Sequence, residues 1–307
     1  MNNVHLLSEE MSLIGPRAGT WLQGLFEPIC ADARIRMTSI LQALTGYWIC
    51  EKALGVDMGK PDTQSLAREV QRRLNLDEQE AFSALLSSDA ALIFLCAGIL
   101  RAFGNENTMM ESFIREVASG IQMHKDQDQV EAAELFTARF LLHKLDLHPC
   151  PDTCGIDSSR ISHITNLFQA DESVVRSLAA DIAATTVYGQ KPPSAEPELL
   201  KQLTVVIPIW MLCYLRQHNL EMGALLLRTM NYLRLQEDIA FQMGFNFVLE
   251  QQQLDGHFGF LAPEISRFRS MKPCPDVTFE LYLPFTVSCL WVIAEVMNPE
   301  FVLVKSF

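Results

Sequence analysis

Asp276 and Glu280 stand four residues apart at the entry to a strongly apolar stretch, a spacing that puts both carboxyls on one face of a helix. Two acids so placed shift each other's pKa and can divide acid and base work between them. Asp181 and Thr185 repeat that spacing, and with Tyr188 they are expected to share a face on another helix. His257 brings an imidazole close to Asp255, and Trp48, Trp210, Trp291 and Tyr47 are aromatic candidates for a cavity wall. Asp276, Glu280 and Asp181 are thus the candidate catalytic groups, with Tyr188, Thr185, His257, Asp255 and Trp48 as candidate substrate contacts. Each also has a plain structural role open to it. Asp276 suits an N-cap, Asp181 a solvent-facing acid, His257 a turn residue and the tryptophans ordinary core.

Helices must position these groups, because strand signals are nearly absent: no alternating Val/Ile/Thr-rich stretch closes on an Asn-Gly or Asp-Gly turn. Apolar periodicity predicts about twelve helices, at 20–30, 32–54, 63–75, 77–103, 108–124, 128–145, 157–169, 172–188, 196–217, 219–235, 237–253 and 276–297. Pro61-Asp62-Thr63, Asp171-Glu172-Ser173 and Pro275-Asp276 place acids where a helix start favours them. Gly104 and Gly189 follow helices as C′ glycines would. Connections are short and polar with no linker-like composition, so residues 1–307 are expected to form a single domain behind a flexible lead-in at 1–18.

With 49% hydrophobic and 20% charged residues and a mean hydropathy of +0.12, the 307-residue chain can bury a core. Its net charge of −13 disfavours nucleic acid and anionic lipid. Residues 1–10 lack the basic and apolar regions of a secretory signal. The apolar runs Leu203–Leu215 and Leu281–Val296 each contain a proline and fall short of a spanning segment. Cys50, Cys96, Cys213 and Cys289 lie inside apolar helical runs, as small hydrophobes rather than disulfide partners. Together these features point to the cytoplasm. Gly-x-x-x-x-Gly-Lys, Gly-x-Gly-x-x-Gly and Gly-x-Ser-x-Gly are all missing, which disfavours nucleotide-driven and serine-hydrolase chemistry.

One string repeats: Pro149-Cys150-Pro151-Asp152-Thr153 returns as Pro273-Cys274-Pro275-Asp276-Val277-Thr278, each time between two helices. Helices alternating with short loops in this way can be arranged as about six antiparallel hairpins closed in a ring, the more apolar helices inside. The repeat would mark two equivalent hairpin junctions, or would be a helix-start signal used twice.

Gln252-Gln253-Leu254-Asp255-Gly256-His257-Phe258-Gly259 resembles the Gln-x-x-Asp-Gly-x-aromatic-Gly signature of α/α-toroid proteins, the squalene-hopene type of terpene cyclases and the β subunits of protein prenyltransferases. Phe258 stands where the cyclases usually carry tryptophan. In those families the motif is a stabilising turn between an outer and an inner helix. Cys274-Pro275-Asp276-Val277-Thr278-Phe279-Glu280-Leu281 and Thr185-Thr186-Val187-Tyr188-Gly189 are also similar to uncharacterised bacterial proteins of the same helical-ring type. The resemblance implies an (α/α)6 toroid with a central cavity.

The acid of class II cyclases, Asp-x-Asp-Asp, is missing; the nearest string is Asp126-Gln127-Asp128-Gln129. An Asp-rich helix of class I type is missing too. Prenyltransferases hold zinc with an Asp-x-Cys pair and a distant His, for which Asp152, Cys154 and His218 are the matching residues. The expectation is an enzyme of bacterial specialised metabolism, performing a cyclisation or related acid/base step on a small apolar or carrier-tethered substrate without a cofactor. A non-catalytic scaffold for a protein partner is the alternative, zinc-dependent alkyl transfer the third reading, and a homodimer is allowed.

Overall fold

Short polar side chains start several of the helices. Asp171 Oδ1 accepts from Ser173 N at 2.8 Å, Asn219 Oδ1 from Met222 N at 3.1 Å and Asp238 Oδ1 from Ala240 N at 2.7 Å, satisfying amides that have no partner in the first turn. The Ser173 hydrogen bonds hold the Asp171 carboxyl below its ordinary pKa. Pro197 occupies the first turn of its helix, where its lost N–H costs nothing.

The computed structural model describes residues 2–31, 36–59, 64–66, 68–69, 72, 79–104, 114–115, 132–147, 149, 171–259, 278–299 and 301. Ten helices are named within them: α1 (Asn2–Gly24), α2 (Phe26–Ala31), α3 (Met37–Lys52), α4 (Gln79–Ala102), α5 (Ala132–Lys144), α6 (Glu172–Thr185), α7 (Pro197–Arg216), α8 (Leu220–Tyr232), α9 (Ile239–Glu250) and α10 (Thr278–Met297). No strand occurs among the described residues, only an isolated antiparallel bridge between Gln252 and Phe258. The protein is all-helical. The helices expected over 63–75, 108–124 and 157–169 lie largely outside the described residues, as do Asp152, Cys154 and Asp276.

The chain start differs from expectation. Residues 2–18 belong to α1, with Ile14, Ala18 and Leu22 buried at four-residue spacing, so the first helix begins well before residue 20. Tyr188 also lies off the helix expected to carry it. α6 ends at Thr185, and Val187, Tyr188 and Gly189 follow with φ of 49°, 54° and 82°.

Six helices touch in a closed sequence: α3 on α4, α4 on α5, α5 on α6, α6 on α8, α8 on α10, and α10 back on α3. Their ends show that neighbours run in one direction. Glu280 at the start of α10 meets Ser39 at the start of α3, and Arg176 near the start of α6 meets Glu221 at the start of α8. At the other end Lys52 of α3 lies over Phe103 just past α4, and Tyr232 of α8 meets Glu295 of α10. α1 packs on α3, α7 on α8, and α9 on both α7 and α8. The shared core includes Trp48, Ile49, Phe94, Phe136, Leu178, Leu227 and Leu290.

α7 and α10, at 20 residues each, are long and apolar enough by length and composition to cross a membrane, which their shorter apolar runs did not suggest. The most apolar part of α10 is 61% buried against its neighbours, as a core helix is, and that of α7 is 44% buried.

The turn after α9 fastens the chain to two other helices. Gln252 Nε2 donates to Ile14 O at 2.9 Å and to Gly256 O at 3.2 Å, and Phe258, fully buried, donates its N–H to Thr286 Oγ1 of α10 at 3.0 Å. Gly256 has φ 108° and lies so close to the carbonyl of Arg17 that a Cβ there would collide with backbone. Gly256→Ala is therefore expected to cost about 2 kcal/mol or more. Gly55→Ala, also at positive φ but in open space, is expected to cost about 1 kcal/mol. Urea denaturation of both variants checks this, and equal losses would show that the contact with α1 carries no weight.

Candidate functional site

α8 carries Arg228 and Tyr232 one turn apart, and α10 carries Trp291 and Glu295 at the same spacing. Where the two helices pack, the four side chains close into one network. Arg228 grips Glu295 with both arms, Nε to Oε2 at 3.1 Å and Nη2 to Oε1 at 2.8 Å. Tyr232 Oη donates to Glu295 Oε1 at 2.9 Å and accepts from Arg228 Nη2 at 2.8 Å, while Trp291 Nε1 donates to the same Oε1 at 2.9 Å. The guanidinium also lies 4.6 Å from the centre of the Trp291 ring, close enough for a cation–π contact. Glu295 keeps only 3% of its side chain exposed and Arg228 18%.

A buried ion pair needs hydrogen bonds to offset its lost hydration, and here four donor contacts from three side chains reach the Glu295 carboxylate. Burial, the largest single influence, would lower the pKa of Arg228, but the charges and hydrogen bonds of Glu295 and Tyr232 together outweigh it and hold the guanidinium above its ordinary value. Tyr232 is raised well above the usual phenol range, chiefly by burial.

Tyr188 adjoins this network. Its ring stands edge-on to Tyr232 at 6.2 Å and tilted against Phe140 at 5.3 Å, and its hydroxyl donates to Thr137 Oγ1 at 3.0 Å. Burial pushes its pKa up to about 12. Over these groups, at the C-terminal ends of α6, α8 and α10, lies a half-open cavity of about 440 Å³. Tyr188, Tyr232, Val296, Pro299 and Phe301 give it apolar surface, and Asn231, Arg234, Gln236 and Glu295 give it polar groups. Phe301, one of the lining residues, packs on Trp48 at 4.9 Å, and Trp48 meets Trp291 edge-on at 6.2 Å.

Of the residues proposed from sequence, Tyr188 lines this cavity and Trp48 supports it, fully buried. Asp181 and Thr185 are buried within α6, at 2% and 3% exposure, which sets aside the solvent-facing reading of Asp181. Glu280 sits at the far end of α10, about 22 Å from Glu295 at 1.5 Å per residue. There it accepts from Ser39 Oγ at 2.7 Å and Arg36 N at 3.3 Å and pairs with Arg36, binding the first turn of α3. Asp255 and His257 belong to the turn after α9, with His257 Nδ1 at 2.6 Å from Asp255 Oδ1 and its ring 4.3 Å from that of Tyr282. His218, at φ 58° after α7, lies against Phe247.

The described residues contain no group of three or more His, Cys, Asp or Glu placed to hold a metal. Cys50, Cys96, Cys213 and Cys289 are free thiols, and burial pushes Cys50 up to about 12 and raises Cys289 as well. Such thiols are poor nucleophiles. Arg228, Tyr232, Arg234 and Glu295 were not singled out from sequence. The signal for two of them is one charge inside an otherwise apolar run, Leu225-Leu226-Leu227-Arg228 and Val292-Ile293-Ala294-Glu295, each one turn from an aromatic residue.

No protein-family model, no curated protein and no solved structure matches the chain.

Arg228→Ala leaves Glu295 buried without its cation and is expected to cost about 3–5 kcal/mol of stability. The double replacement Arg228→Met/Glu295→Leu strands no charge and should recover much of that loss, as chemical denaturation will show; equal losses would mean that the pair is not coupled. Because Tyr188 and Tyr232 are raised above the unfolded phenol value of about 10, the stability they contribute is complete below that pH and is lost as pH climbs toward 12. Tyrosinate absorbance for these two phenols should therefore appear together with loss of helical circular dichroism, not before it.

Proposed function

We propose that the chain is an α/α toroid that holds a small, largely apolar molecule, free or carrier-tethered, in the cavity at the C-terminal ends of its inner helices, as a ligand-binding protein of bacterial specialised metabolism. The toroid reading rests on the closed sequence of contacts through α3, α4, α5, α6, α8 and α10, and on the turn at 252–259 that fastens α9 to α1 and α10. One observation carries the binding role: a half-open cavity of about 440 Å³ with aromatic walls and a few polar groups, within the size range of small-molecule sites.

Acid/base cyclisation in this cavity would need a carboxyl able to exchange a proton there. The described lining offers Glu295, whose oxygens already accept from Arg228, Tyr232 and Trp291. Glu280 is engaged with α3 at the other end. Binding is accordingly the reading that the geometry supports best.

A scaffold role has one observation in its favour. Val205 on α7 and Ile239 and Met243 on the neighbouring α9 are 56%, 75% and 59% exposed, apolar surface that a protein partner could cover.

Native mass spectrometry of the purified protein separates the two. The binding reading expects a small organic adduct that Val296→Trp, which fills the cavity, removes while helical content stays intact. An adduct-free protein whose thermal stability responds to no added small molecule would contradict it and favour the scaffold.

A further inference from the structure

Resting on the cavity reading above, we infer that the cavity selects ligands with a flat apolar body and a single anionic group, with Arg234 as the residue that pairs with the anion. The charge balance of the site argues for this. Arg228 is neutralised by Glu295, and the Tyr232 and Trp291 donors are spent on the same carboxylate. Tyr188 donates its hydroxyl to Thr137. The phenols therefore offer aromatic surface rather than free donors, and with Phe301 they make walls suited to a flat apolar body. What remains uncompensated is Arg234, exposed at the rim and paired with no described residue. Its guanidinium offers the planar, forked donors that match a carboxylate, sulfonate or phosphate.

The backbone supplies a second observation. Arg234 has φ 61° at the end of α8, with Leu235 N bonded to Met230 O, a cap position where glycine carries no steric penalty. Three other non-glycine residues at positive φ have side-chain partners: exposed Asp146 pairs with Arg101, buried Tyr188 bonds Thr137 and exposed His218 packs on Phe247. Arg234 occupies the same disfavoured conformation without such a contact. Beside it, Gln236 Nε2 donates to Asn231 Oδ1 at 2.7 Å and to Asn231 O at 3.2 Å, which fixes the rim loop. In a chain of net charge −13, a rim cation that no described residue pairs with is the feature that can draw an anionic group to this cavity.

Two fluorescent probes of nearly the same shape test the inference: anilinonaphthalene sulfonate, which is anionic, and the uncharged N-phenylnaphthylamine. Both are titrated into the wild type, Arg234→Gly, Arg234→Lys and Val296→Trp. Arg234→Gly suits the local φ, so folding is not at risk. It is expected to weaken the sulfonate by about tenfold and to leave the uncharged probe unchanged, while Arg234→Lys, which keeps the charge but not the forked donors, restores the affinity only in part. Sulfonate affinity that stays the same in Arg234→Gly would overturn the inference. The cavity reading fails separately, if the uncharged probe still binds Val296→Trp as it binds the wild type.

Discussion

Glu295 is the point on which the two halves of the site depend. A carboxylate with 3% exposure must be fully hydrogen-bonded to be tolerated, and its donors come from two helices: Arg228 and Tyr232 on α8, Trp291 on α10. That requirement fixes how far α8 and α10 approach and how they are rotated. Trp291 then sets the position of Trp48 on α3, and Tyr232 sets that of Tyr188 after α6. Four members of the closed helical sequence thus meet through one buried anion and its aromatic neighbours, and the cavity lies directly over them.

The N- and C-terminal ends of these helices differ in charge for a reason that belongs to helices. Amides left unpaired at helix starts favour acids, and carbonyls left unpaired at helix ends favour bases. Glu172, Glu221 and Glu280 sit in first turns, while Lys52, Arg101 and Lys144 sit in last turns. Acids at the N-terminal end are tied to neighbouring helices, as Glu280 is to α3 and Glu221 is to Arg176. Cations at the C-terminal end instead lie over aromatic rings, as Lys52 does over Phe103 and Lys144 over Phe140, or stay at the rim, as Arg234 does.

Much of the fold was legible in the sequence because apolar periodicity and caps are local. The starts of α6, α7, α8 and α9 fall within two residues of the positions expected, and Asp171 caps as its neighbours suggest. Tyr188 was misplaced because nothing in Thr185-Thr186-Val187-Tyr188-Gly189 forbids another half turn of helix; packing of Tyr188 against Phe140 and Tyr232 accompanies the left-handed exit instead. The carboxylates chosen from sequence were chosen for spacing along one helix. The network that forms joins residues 63 to 67 positions apart, a pairing that no local spacing reveals. Glu280 matched a chemical pattern, yet Ser39 and Arg36, more than 240 residues away in the chain, engage it structurally.

Hydrogen exchange with and without bound anilinonaphthalene sulfonate tests most directly which end of the helices is the site. A ligand over the Glu295 network should slow exchange at 186–191, 231–236 and 294–298 and leave the starts of α3, α6 and α10 unchanged. Protection at those helix starts, around Ser39, Ser173 and Glu280, with none at 231–236, would contradict the account and return the site to the acidic end.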